Sequence, residues 1–412
     1  MNQELIRIVE NIARDKKIDK ESIFQDLEAA MISAVRKSFS AQEENEIIVS
    51  IDRDSGMISS SMDGEDIDIK KLGRIPAQTA KQVMIQKIKA DERDSIFTEF
   101  AQRKGEIVSG TAVRFEGGTA IISLNNRTEG FLPKSEQISG QSHHISERVR
   151  ALILDVREAS SLVKIILSRT HPDFIKRLFE LEVPEVAESI IEIKALARES
   201  GYRTKIAVFS HDDKVDAVGA CVGVRGSRIR NIVDELGGEK IDIVRWSDSS
   251  QTLIANSMKP AEVSEIAICF ELGRATVVVP EDQLSLAIGK HGQNVRLAAR
   301  LTGWDIDILT PLEYNQEVER LAGCIKAVEG IDDTFVDKLL ALGIISVLDM
   351  EEVGVEPLVA ELGLDNDMAG KVVESASQEA KKIAAEKKQA ETIMETESPL
   401  KQEAQQEQED TQ

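Results

Sequence analysis

Apolar residues recur at helical spacing over residues 1–40: Leu5, Ile8, Val9 and Ile12, then Ile23, Leu27, Ala30, Met31, Ala34 and Val35. Asp19 opens a capping-like stretch between the two groups. Residues 46–51 alternate as a strand, and Asp52-Arg53-Asp54-Ser55-Gly56 reads as a turn. Pro76 precedes a long helical pattern from about Gln78 to Lys104 that carries Val83, Ile85, Ile88, Ile96, Phe97 and Phe100. It is well charged, the profile of a rigid spacer between domains. At Gly105 the period shortens. Four alternating runs follow: Ile107-Val108 into Thr111–Val113, Ala120–Leu124, Arg150–Val156 and Val163–Leu167, with glycines at 110, 117, 118, 130 and 140 between them. Close-spaced short strands predict a small barrel, of the OB kind or another small β domain. A helix is expected from about Pro184 to Glu199, with proline in its first turn.

The next pattern occurs twice, 66 residues apart. The first copy is Val222-Gly223-Val224-Arg225-Gly226-Ser227-Arg228-Ile229-Arg230, and the second is Ile288-Gly289-Lys290-His291-Gly292-Gln293-Asn294-Val295-Arg296. Each is followed by a helical stretch, a glycine stop and a strand ending Ile-Asp-Ile-aliphatic, at Ile241-Asp242-Ile243-Val244 and Ile306-Asp307-Ile308-Leu309. Each is preceded by a strand-like run, Lys205–Phe209 and Arg274–Val279. One Gly-x-x-Gly is an ordinary turn. Two inside matching surroundings are tandem copies of one α+β unit. Glycines bracketing a tight turn leave the backbone bare, so a sugar-phosphate chain can lie against it and meet the free N–H groups of the next helix. KH domains clamp single-stranded nucleic acid in this way.

Past residue 312 the pattern breaks into short helices at Gly330, Gly343, Gly354 and Gly363. Glu329-Gly330-Ile331-Asp332 to Leu342-Gly343-Ile344 is reminiscent of a helix-hairpin-helix, here strongly acidic. A protein-contact module and a purely structural domain both fit. From Ser377 the chain is Glu, Gln, Lys and Ala with few large apolar residues, and disorder is expected.

Composition changes the picture in one respect. The net charge is −22, an unusual sign for a nucleic-acid binder. Residues 313–412 hold 24 acidic against 9 basic side chains, so the first 312 residues carry only −7. Arg225, Arg228 and Arg230 stand together with no acid among them, and the local field at a groove matters more than the total. Modest intrinsic RNA affinity is expected. Aromatics make up 4%, too few for an aromatic-lined cavity. Cys221, Cys269 and Cys324 form no Cys-x-x-Cys pair, and His143, His144, His171, His211 and His291 lack ligand spacing, so no metal site or disulfide framework is indicated. Gly289-Lys290 is not a P-loop, because His291 stands where Ser or Thr is required. No apolar run approaches the roughly 18 residues that cross a bilayer, and Met1-Asn2-Gln3-Glu4 starts a helical pattern rather than an export segment. A cytoplasmic, reducing setting is expected.

With these residues in view, the chain resembles the NusA family of bacterial transcription termination/antitermination factors. The likeness runs through Glu4 to Phe39, Gln78-Thr79-Ala80-Lys81-Gln82-Val83, Glu182-Val183-Pro184-Glu185 and Ile190–Ala195. It is most specific at Val218-Gly219-Ala220-Cys221-Val222-Gly223 and Gly292-Gln293-Asn294-Val295-Arg296-Leu297. The resemblance implies a multidomain α+β protein. An N-terminal RNA polymerase-binding domain (1–104) and an OB-type β-barrel (105–170) are followed by two tandem type II KH domains (171–247 and 248–312). A small acidic helical domain (313–376) and a disordered tail (377–412) complete it. It further implies a monomeric, non-enzymatic elongation factor without cofactors. Such a factor binds core RNA polymerase near the RNA exit channel, nascent single-stranded RNA and other Nus factors, and modulates pausing, termination and antitermination. Tethering to polymerase makes weak RNA contacts intramolecular, which suits the low charge.

This sequence departs from the family at three places. It is short between Asp54 and Gln78. In the barrel, Gly117, Gly118, Ala120 and Pro133 stand where RNA-binding relatives place aromatics and a histidine, leaving Phe115 and Phe131. Only one hairpin-like unit follows the KH pair. On the clamp reading, Gly223, Gly226, Gly289 and Gly292 admit the backbone, with Val224 and Ser227 inside the first frame. Arg225 and Lys290 meet phosphate, and Arg228, Arg230 and Arg296 add charge. Ile229 lines a base groove or the core. Gln293 and Asn294 offer donors and acceptors, or Asn294 caps its helix, and His291 donates or stacks. Two alternatives stay open. One is an RNA-binding protein of ribosome assembly. The other is an accessory of an RNA-processing phosphorolase, although there the KH unit precedes the barrel.

Overall fold

The computed structural model describes residues 2–16, 19–39, 45–67, 74–125, 128–158, 162–328, 331, 333–383 and 385. It divides into two compact units, Met1–Leu178 and Phe179–Gln412.

In the first unit, α1 (Asn2–Lys16) and α2 (Lys20–Ser38) are followed by a small sheet of β1 (Ile47–Ile51), β2 (Ile58–Met62) and β3 (Glu65–Asp66). Asp19 caps α2 as its position suggested, its carboxylate accepting from the Glu21 N–H at 3.1 Å. The apolar stripes read from the sequence meet: Val9 and Ala13 of α1 pack with Ile23 and Phe24 of α2 and with Ile51 of β1. Strict alternation in β1 buries Ile47, Val49 and Ile51 and leaves Ile48 outside.

The long helix α3 (Arg74–Gln102) starts before Pro76, which sits in its first turn where no N–H is needed. It is not a free spacer. Ile96 and Phe100 near its C-terminal end enter the core of the following barrel beside Val108, Ile122, Leu132 and Ile153. The barrel is closed in the order β4-β5-β6-β8-β7, formed by β4 (Ile107–Glu116), β5 (Thr119–Asn125), β6 (Thr128–Leu132), β7 (Arg148–Glu158) and β8 (Val163–Ser168). The sequence shows four of these strands and not β6. Gly130 and Pro133 punctuate that segment, yet it pairs with β5 and closes the barrel against β8 in parallel. A five-stranded closed barrel is the OB-type architecture expected.

The division between units falls within α4 (Pro172–Glu182). The helix expected over Pro184–Glu199 is corrected here. Only α5 (Pro184–Ala187) is helical, and β9 (Ile191–Glu199) is a strand. Ile191 and Ala197 are buried in the core, and β9 pairs with β10 (Arg203–Ser210) along its length except at Lys194, where the register shifts. Pairing with a neighbour decided what a short apolar run left ambiguous. After β10 come α6 (Ala217–Val222), α7 (Ser227–Glu235) and β11 (Lys240–Arg245). The second copy runs α8 (Ser250–Met258), β12 (Glu265–Cys269), β13 (Arg274–Val278), α9 (Leu284–Ile288), α10 (Gln293–Thr302) and β14 (Asp305–Leu309). The sheets match, β11-β10-β9 and β14-β13-β12, each with one parallel and one antiparallel pairing.

The C-terminal helices are α11 (Pro311–Lys326), α12 (Asp333–Ala341), α13 (Val347–Val353), α14 (Val355–Leu362) and α15 (residues 366–383). A capping box starts α11: the Thr310 hydroxyl accepts from the Glu313 N–H, and Glu313 Oε2 accepts from the Thr310 N–H. Leu321, Ile325, Leu339, Met350, Leu358 and Val372 form the core, joined by Cys269 from the second KH-like sheet. Glu329, Gly330 and Asp332 of the expected hairpin lie outside the described residues. Disorder from residue 377 is corrected for the first part of that stretch. The helix continues to residue 383, with Ala376 and Ala380 buried in this core. Residues 386–412 lie outside the described residues.

Candidate nucleic-acid interface

The two glycine frames fold into the same turn. Gly223 (φ 76, ψ 174) ends α6 and Gly289 (φ 73, ψ 176) ends α9. Arg225 (φ 54, ψ 27) and His291 (φ 53, ψ 33) hold the left-handed conformation at the third position. Gly226 (φ 76, ψ 20) and Gly292 (φ 71, ψ 16) then start α7 and α10 without a side-chain cap, leaving the first N–H groups of both helices uncapped by side chains.

The two glycines of each frame serve different ends. A Cβ on Gly223 would stand 2.8 Å from Arg228 Cγ, and one on Gly289 would stand 2.8 Å from Asn294 Cβ and 3.0 Å from its backbone nitrogen. The first glycine is needed inward, for packing. A Cβ on Gly226 would meet nothing nearer than Ile229 Cγ2 at 3.9 Å, and one on Gly292 would meet nothing within 4 Å. The second glycine keeps the outer surface bare, where a bound strand would rest.

The side chains sort into three groups. Val224, Arg225, Ser227, Arg230, Lys290 and His291 are exposed, Val224 at 82%, and Ile229 is half-buried. Arg228 is turned inward. Its Nη1 donates to Glu185 Oε2 at 2.8 Å and to the Ala220 carbonyl at 2.7 Å, so its expected role as a phosphate cation yields to bracing the loop. Asn294 is also corrected. It is 2% exposed, and its Nδ2 donates to the carbonyls of Met258, Leu286 and Ala287. It neither reaches the surface nor caps α10, whose N-cap is Gly292. Replacing Asn294 by Ala should cost about 2 kcal/mol by stranding buried carbonyls, measurable as a lower denaturation midpoint of the full chain.

Gln293 and Arg296 meet a carboxylate that sequence reasoning missed. Gln293 Nε2 donates to Glu199 Oε2 at 2.8 Å and Arg296 Nε to Glu199 Oε1 at 2.6 Å. The hydrogen bond from Arg296 holds the Glu199 carboxyl below its usual pKa. Glu199 ends β9, so this contact ties the second frame to the first sheet. Ala197, Ala207 and Val244 of that sheet pack against Leu253 of α8 and Leu297 and Leu301 of α10. Both loops therefore belong to one packed body. Glu199 carries no local signal, since its partners lie more than ninety positions away.

Cys221, under the first loop, is fully buried, and desolvation pushes its thiol up to about 12, which makes it inert packing. In the barrel, Phe115 is 43% exposed and Phe131 half-buried. The adjacent Arg114 is held by Glu129 and Glu116. Among the described residues no group of three or more His, Cys, Asp and Glu is placed to hold a metal, and no helix is long and apolar enough to cross a membrane.

Known families match three stretches of the chain. The NusA N-terminal domain matches residues 4–65, the NusA-like first KH domain 169–246 and the NusA-like second KH domain 250–316. A transcription termination/antitermination protein NusA of Halalkalibacterium halodurans is 39% identical over 348 residues, 77% of this chain and 90% of its own. The protein of that name from Bacillus subtilis is 39% identical over 338 residues, 75% of this chain and 91% of its own. That of Rickettsia conorii is 35% identical over 407 residues, 89% and 80% respectively.

Proposed function

The chain belongs to the NusA family of transcription termination/antitermination proteins, and on that premise we propose that it is a non-enzymatic elongation factor that holds nascent single-stranded RNA across its two glycine-frame loops while tethered to RNA polymerase. The observation that carries this reading is the pair of loops with the same backbone dihedrals, bare on the outer side and carried on one packed body. Uncapped helix N–H groups face a strand laid over each loop, with Arg225, Arg230 and Lys290 at its phosphates. Few cations are committed to the task, so affinity for free RNA is low. Attachment to polymerase supplies the missing part as effective concentration. The N-terminal domain is the tether, and it places the loops near the RNA exit channel in the cytoplasm. Pausing, termination and antitermination respond to whether the emerging RNA is held, together with other Nus factors. The chain acts as a monomer and needs no cofactor.

The test is affinity purification of the tagged full chain with RNA crosslinking. Core RNA polymerase and nascent transcripts are expected. Recovery of ribosomal particles without polymerase would replace this reading by a role in ribosome assembly. The full chain is the right reagent, because cutting at residue 104 removes Phe100 from the barrel core it fills.

A further inference from the structure

The two loops are alike in backbone and unlike in how one arginine is paired. Arg230 and Arg296 occupy the same place, four residues beyond the second glycine of each frame. Both reach back to the carbonyl of the left-handed loop residue: Arg230 Nη2 donates to the Arg225 carbonyl at 3.4 Å and Arg296 Nη1 to the His291 carbonyl at 3.2 Å. Arg230 has no carboxylate at ion-pair distance among the described residues. Arg296 has Glu199 at 2.6 Å. Glu199 also takes the amide of Gln293, the first residue of α10. Its two oxygens thus occupy two donors, one cationic and one neutral, at the mouth of the second loop, which is how a phosphate would bind there. Arg296 is still 45% exposed, so a phosphate can reach the guanidinium.

We propose that Glu199 is an internal competitor for RNA phosphate at the second loop, so that Arg296 and Gln293 join the RNA contact only when the carboxylate is displaced. This rests on the clamp reading above and deepens it. The first loop, with Arg225 and Arg230 unmasked, engages RNA first. The second closes on a strand already held nearby, where local phosphate concentration is high enough to exchange with a carboxylate. The arrangement lowers attachment to stray RNA and keeps the response to a tethered transcript.

The test is anisotropy of a short labelled polyuridine strand with the full chain between about 50 and 200 mM salt. Glu199→Gln keeps a hydrogen-bonding partner and removes the charge. It should bind about five-fold tighter at low salt, with a salt slope steeper by about 0.7, one more phosphate contact on a single strand. Adding Arg296→Ala to Glu199→Gln should abolish the gain. A second comparison needs no substitution at Glu199: Arg230→Ala should weaken binding about five-fold, and Arg296→Ala in the otherwise unaltered chain by less than about two-fold. If Glu199→Gln binds no tighter in a normally folded protein, or if Arg296→Ala costs as much as Arg230→Ala, the competitor role is overturned. Gly292→Asp separates the two levels. Weakened binding in it, with no gain in Glu199→Gln, leaves the clamp standing without the competitor. Full binding in it and in Gly226→Asp overturns both.

Discussion

Gly226→Asp and Gly292→Asp should each lower affinity for single-stranded RNA by about 10- to 100-fold while leaving the chain folded. The fold survives because the added Cβ has room: its nearest neighbour is Ile229 Cγ2 at 3.9 Å for the first, and there is none within 4 Å for the second. The positive φ of 76 and 71 costs about 1 kcal/mol, and aspartate tolerates that region better than most residues. The binding loss comes from a carboxylate standing where phosphate would lie. Two like charges at about 4 Å repel by about 1 to 4 kcal/mol between fully aqueous and surface-like dielectric. Ala at the same positions should cost much less, which separates charge from shape. Anisotropy with labelled RNA, a thermal melt and co-purification with polymerase read the three consequences. RNA binding unchanged in both folded Asp variants would remove the clamp from the protein's mechanism.

Gly343→Ala should destabilise the docking of the C-terminal helices by about 3 kcal/mol or more. A Cβ there would lie 2.2 Å from the carbonyl carbon and oxygen of Ile268 and 2.5 Å from the nitrogen of Cys269. These are backbone atoms of β12, so no side-chain rotation relieves the clash, and φ is 78. The same junction is held by Arg274 of β13, whose Nη1 meets Asp349 at 2.8 Å and Glu352 at 3.0 Å. Gly363→Ala is the control. Its φ is 69 with nothing within 4 Å, so only the left-handed penalty of about 1 kcal/mol applies. Urea denaturation and limited proteolysis should show the helical module released early in Gly343→Ala, with the paired sheets still folded. Equal behaviour of the two variants would mean that the close approach to β12 is absent in solution.

The departures from sequence expectation share a cause. The Pro184–Glu199 stretch reads as a helix because Ile190, Ile191 and Ile193 satisfy either period over so short a run, and β10 settles it by pairing. The spacer reading of α3 leaves out the role of Phe100, because nothing local distinguishes an aromatic lying on a helix from one filling a barrel that closes only in three dimensions. Arg228, Asn294, Gln293 and Arg296 all belong to donor-rich frames, and nothing local separates a ligand contact there from an internal one. Packing spends Arg228 on Glu185 and Asn294 on three carbonyls, and pairs Gln293 and Arg296 with Glu199.

What the sequence alone determined is what neighbours along the chain can dictate: amphipathic helices from period, strands from alternation, and two bare left-handed turns from glycine at fixed offsets. These depend on backbone sterics and local burial, which operate within a few residues. Only the tertiary structure decided which charges are spent internally and which face outward. An ion pair forms between whichever side chains folding brings within about 4 Å, and Glu199 and Arg296, far apart in the chain, become neighbours only because one sheet packs against the helices of its repeat.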